Sequence, residues 1–141
     1  MPLIREQLET GRSVRLSPRG TSMLPLLRQE TDSVVLSPLP ERLKKYDILL
    51  YQREEGKYIL HRIIEAGETY VCMGDNQFMR EPGVTDEQAI AVVTAVYRGE
   101  RKHSVTEPAY RIYCVFWHYS RPLRYFYRRV CNKMRRILKG S

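Results

Sequence analysis

Between residues 13 and 98 the apolar residues come in short runs, each closed by Gly, Pro or a cluster of polar residues, and this limits the fold more than any other feature. The runs are Ser13 to Leu16, Ser33 to Leu36, Ile48 to Gln52, Tyr58 to Ile64, Thr69 to Met73 and Ala89 to Tyr97. Several alternate polar with apolar or are rich in β-branched residues, the pattern of strands. Glu54-Glu55-Gly56-Lys57 is a good hairpin turn between the third and fourth runs. No alternation of strand with helix-length segments occurs, so parallel βαβ architectures are excluded and a mainly antiparallel β domain is expected. Ahead of it, residues 2–11 pattern as a short helix with Leu3, Ile4 and Leu8 on one face and Gly11 as its stop. From about Tyr110 the period changes again, to a helix interrupted at Pro122.

A chain of 141 residues supports one domain with a real core. Its 43% hydrophobic and 28% charged content is that of a globular protein, not a disordered one. Cys72, Cys114 and Cys131 are odd in number and lack metal-ligand spacing, so neither a disulfide framework nor a zinc site is expected, and a reducing compartment is. No apolar signal segment follows Met1, and no apolar run reaches the roughly 20 residues of a spanning helix. The expected location is therefore the cytoplasmic side of a membrane. The net charge of +8 is concentrated in one place: residues 108–141 carry nine bases and no acid, whereas residues 1–107 carry 15 bases and 16 acids. A near-neutral body, 1–107, and a cationic appendage, 108–141, are the two parts this implies.

Three stretches of the body carry candidate chemistry. Gly20-Thr21-Ser22-Met23-Leu24-Pro25 sets a serine in a tight turn, where a hydroxyl is exposed and a neighbouring amide can stabilise an oxyanion. In Tyr58-Ile59-Leu60-His61-Arg62-Ile63-Ile64, alternation puts His61 between Ile59 and Ile63 on one face. Desolvation there favours the neutral imidazole that a general base requires. Gly74-Asp75-Asn76 ends a strand in a turn, from which a carboxylate can orient an imidazole. Taken singly, each also reads as something ordinary: a turn serine, a core histidine, an aspartate capping its own turn.

In this order, the stretches resemble the superfamily that joins type I signal peptidases with the self-cleaving SOS-type repressors, in its Ser-His branch. Gly20 to Pro25 resembles the nucleophile box. Lys45-Tyr46-Asp47-Ile48-Leu49-Leu50-Tyr51 resembles the following strand, with Tyr46 where a glycine is usual. Leu60 to Ile64 resembles the base box, with His61 in place of the commoner lysine, and Gly74-Asp75-Asn76 resembles the last box. The likeness covers about residues 12–98. It implies a coiled antiparallel β-sheet assembly with a short N-terminal helix and a helical basic tail. It further implies a serine endopeptidase whose substrate, a peptide or protein, adds as an extended strand beside the site. Ser22 would be the nucleophile and His61 the base. Asp75 would orient His61, with Glu81 as a second acid, and the Gly20–Thr21 turn would help hold the oxyanion. No metal or other cofactor is implied. The membrane anchor usual in signal peptidases has no counterpart here.

Two other functions compete. One is a peptide-binding module of the same fold that has lost turnover. The other is a regulator that cuts itself, disfavoured because no Ala-Gly or Cys-Gly pair precedes Gly20. For the tail, helical projection aligns Leu123, Phe126, Tyr127, Val130, Met134, Ile137 and Leu138 in one apolar stripe amid basic residues. Two expectations follow: residues 110–141 bind an anionic membrane surface, making the protein peripheral on the inner face, or the stripe packs on the β domain. Nucleic-acid binding is disfavoured because no recognition motif is present.

Overall fold

The computed structural model describes residues 2–18, 20, 22–28 and 30–139, with Pro2 described in its backbone alone. Helix α1 (Pro2–Glu9) leads into strands β1 (Val14–Leu16), β2 (Asp32–Ser37), β3 (Ile48–Gln52), β4 (Tyr58–Ala66), β5 (Tyr70–Met73), β6 (Glu81–Val84), β7 (Ala89–Arg98) and β8 (Arg101–Ser104). Helices α2 (Pro108–Tyr119) and α3 (Arg121–Lys139) follow. The strands form one antiparallel sheet in the order β1-β2-β7-β3-β4-β5-β6, and β8 pairs with the far half of β7. The fold is thus mainly β, with a short N-terminal helix and C-terminal helices, as the spacing of the apolar runs predicts. Strands β6 and β8 lie outside the runs expected from the sequence: Glu81-Pro82-Gly83-Val84 contains a Pro-Gly pair and Arg101-Lys102-His103-Ser104 is charged. Both pair on one side only, where proline and charge are tolerated.

Register shifts interrupt the ladders at Val35/Leu36, Leu50/Tyr51, Ile63/Glu65 and Tyr70/Cys72. Such bulges bend strands and raise their twist. The coiled sheet buries both of its faces. Ile48 and Leu50 of β3 join one cluster with Val34, Leu36, Val93 and Val96, while Leu49 and Tyr51 join another with Ile63, Cys72 and Val84. That is why the third run is continuously apolar rather than alternating. Helix α2 contributes Tyr110 and Cys114 to the first cluster, so the packed body extends past residue 107. The break between α2 and α3 falls at Ser120, and Pro122 sits in the first turn of α3, where its missing N–H costs least. No helix among the described residues is long and apolar enough to cross a membrane.

Candidate active site

Ser22 stands in the turn after β1, and its position is set from below. Met23 is buried in the core and accepts a contact from the Asp75 amide at its Sδ, 3.4 Å away. The Asn76 amide donates to the Ser22 carbonyl at 2.8 Å. Gly74 lies directly against this turn: a Cβ there would sit 2.5 Å from the Ser22 carbonyl oxygen and 3.1 Å from its Cβ. The Gly-Asp-Asn stretch is therefore a seat for the serine turn, and its glycine is required by close approach. Gly20, exposed at φ 93°, supplies the left-handed residue that opens the turn. Thr21, expected beside it, lies outside the described residues.

His61 lies on β4, opposite Leu49 of β3, and is 5% exposed. Burial pulls its pKa down to about 4, against a smaller upward pull from Glu81, so the imidazole is neutral at physiological pH. Ser22 and His61 line the same cavity, of about 370 Å³, with Leu16, Pro18, Leu50 and Leu60 among its walls. No hydrogen bond joins the two side chains in this state. The cavity is flanked by two strand edges that pair with no other strand among the described residues. β1 pairs with β2 alone, and β5 takes up β4 only from Arg62 onward, leaving the outer edge of Tyr58 to His61 open.

The acid beside His61 is Glu81, and Asp75 is elsewhere. Tyr51, diagonal to His61 across the β3–β4 pair, places its hydroxyl 3.5 Å from Nδ1 and donates it in a short bond to Glu81. Glu81 Oε2 is itself 4.0 Å from Nδ1. Partial burial works to raise the Glu81 pKa, but bonds from Arg53 and Tyr51 outweigh it and hold the carboxyl ionised. Of the two acids named from the sequence, the second is the one in reach of the imidazole. Tyr51 was missed. Its signal was present, because the Glu54 to Lys57 hairpin puts Leu49 and Tyr51 on the face that His61 shares.

Asp75, expected to orient His61, is fully buried and takes both guanidinium arms of Arg62, at 2.8 and 2.9 Å. Adjacent strand residues point to opposite faces, so Arg62 and His61 cannot share an acid easily. Arg62 also donates to the Tyr46 carbonyl (2.9 Å), Tyr110 Oη (3.1 Å) and Cys114 Sγ (2.9 Å). Tyr113 donates to Asp75 Oδ2 at 2.8 Å, and Trp117 Nε1 to the Asp75 carbonyl at 2.7 Å. The ion pair is a buried hub that ties β4 and the Gly-Asp-Asn turn to helix α2. Tyr46, which stands where the resemblance calls for glycine, has φ 79°, in the region that glycine favours. Its N–H donates to the Ile63 carbonyl and its carbonyl accepts from the Arg62 guanidinium, which holds it there.

No group of acids, histidines and cysteines among the described residues could hold a metal ion. No family model, curated protein or solved structure matches the chain.

Proposed function

We propose that the chain is a serine endopeptidase of the signal-peptidase type, in its Ser-His branch, acting on an extended peptide or protein segment on the cytoplasmic side of the membrane. The observation that carries this reading is that Ser22 and His61 line one cavity between two open strand edges. A peptide laid along the edge of Tyr58 to His61 gains main-chain hydrogen bonds and presents its carbonyl to Ser22. Ser22 Oγ attacks that carbon while His61 Nε2 takes its proton. The C–N bond then breaks, the proton passes from His61 to the leaving amine, and water hydrolyses the acyl-enzyme by the same exchange. Glu81, acting through Tyr51, favours the tautomer with hydrogen on Nδ1 and stabilises the imidazolium as it forms. The Ser22 amide holds the oxyanion, worth roughly 3 kcal/mol. The required glycine at position 74 and the left-handed backbone at position 46 support the resemblance, since both meet the family's glycine positions with a physical cause.

A peptide-library digestion comparing the parent chain with Ser22→Ala tests this reading. Cleavage by the parent alone is expected, with labelling of Ser22 by a fluorophosphonate that His61→Ala abolishes. Identical behaviour of parent and Ser22→Ala refutes it. The unbonded Ser22–His61 pair favours one second reading, a peptide-binding module without turnover. Peptide binding without labelling or cleavage would establish that instead. Loss of full-length mass on incubation, sensitive to Ser22→Ala, would point to self-cleavage.

A further inference from the structure

Helix α3 is docked with its polar side inward. Its links to the body include Arg128, which donates to Asn76 Oδ1 at 3.1 Å, Arg124, which lies 3.6 Å over the Trp117 ring, and Tyr125, edge-on to Phe78. Its one buried residue is Arg121. At 100° per residue, Leu123, Phe126, Val130, Met134 and Ile137 fall on the opposite side. They are 40–74% exposed, so the stripe does not pack on the β domain. Helix α2 repeats the arrangement: Tyr110 and Cys114 are buried, while Ile112, Val115, Phe116 and Tyr119, at helical spacing, stand in solvent. Scattered exposed apolar residues need no cause, but an apolar stripe on each of two successive helices marks an interaction surface.

Charge decides what covers it. Helical projection puts Arg129, Lys133 and Arg136 along one margin of the α3 stripe, and residues 108–141 contain no acid. The same face of a second copy offers these bases no acid to pair with. An anionic bilayer offers acyl chains to the stripe and phosphates to its basic margin. We propose that α2 and α3 form an interfacial element that inserts Leu123, Phe126, Val130, Met134 and Ile137 into the surface of an anionic phospholipid bilayer. The Arg62–Asp75 hub fixes α2 to β4, so the body is held at the membrane in a set orientation. This inference does not depend on the peptidase reading.

Full-length protein is sedimented with vesicles of phosphatidylcholine containing phosphatidylglycerol, and with phosphatidylcholine alone. Binding to the anionic vesicles only, weakening as salt rises, is expected. Each basic residue at the surface contributes about fivefold, so Arg129→Ala with Lys133→Ala lowers partitioning by roughly 25-fold. Phe126→Glu with Val130→Glu changes exposed positions, leaves thermal unfolding in place and abolishes binding. Equal binding to both vesicle types, or none to either, overturns the proposal. So does a concentration-dependent dimer that Phe126→Glu dissociates, which would make a second copy the cover, or oligonucleotide binding indifferent to Phe126→Glu.

Discussion

Gly74→Ala tests the seat of the serine turn most directly. The added methyl would lie 2.5 Å from the Ser22 carbonyl oxygen, 3.0 Å from Gln77 Oε1 and 3.1 Å from Ser22 Cβ. A flexible side-chain end could swing aside, but the closest neighbour is backbone, held by the Asn76 amide at 2.8 Å. Either the Ser22 turn or the Gly74–Asn76 turn must retreat by several tenths of an ångström, stretching that bond and the Asp75 amide contact to Met23. Overpacking of this kind costs about 1–3 kcal/mol, and a weakened hydrogen bond adds up to about 1 kcal/mol. A nucleophile displaced on the order of 1 Å loses about a hundredfold in reactivity. Urea unfolding gives the first quantity and the rate of fluorophosphonate labelling gives the second. Gly67→Ala is the control, since a Cβ there meets only the Thr69 carbonyl, at 3.8 Å. If Gly74→Ala proves no more destabilising than Gly67→Ala, the close approach is not real and Gly74 does not seat the serine turn.

Asp75→Asn strips a guanidinium that is 2% exposed of its counter-ion, so it should cost about 3–5 kcal/mol in urea unfolding. A loss equal to that of a surface carboxylate would dismiss the hub. The His61 imidazole should titrate by NMR near pH 4 rather than 6.5. Its folded pKa lies below its unfolded one, so the unfolded chain binds the extra proton first. Stability is complete above the unfolded value and falls with pH across that window, by about 3 kcal/mol. His61→Gln should remove this slope, and a midpoint near 6.5 would deny the burial. The acid limb of kcat/KM should fall in the same low range. Glu81→Gln should lower kcat by as much as about a thousandfold with KM little changed, because a unit charge 4.0 Å from the ring is worth on the order of 4 kcal/mol at an effective dielectric near 20. An unchanged kcat would leave His61 working without an acid.

Much of the sheet was legible because strand burial is written in local pattern. The hairpin at Glu54 to Lys57 and the long run Ala89 to Tyr97 appear with ends displaced by at most a residue. Strands β6 and β8 were not legible. An edge strand with one neighbour tolerates Pro82 and Gly83, or Arg101 and Lys102, and so carries no propensity signal. Box order named Ser22 and His61 together, and the fold brings both to one cavity. The choice between Asp75 and Glu81 was not legible, because it turns on which face each side chain takes after several bulged strands.

The sequence alone determined the strand-rich body, the helix at each end and the charge asymmetry, since all of these follow from composition and short-range periodicity. Only the tertiary structure decided that Glu81 meets His61 through Tyr51, that Asp75 belongs to Arg62, and that the α3 stripe faces outward. Those outcomes depend on contacts between residues 13 to 52 positions apart, or on which side of a helix the rest of the chain occupies. Local pattern says which residues share a face, but only packing says what that face meets.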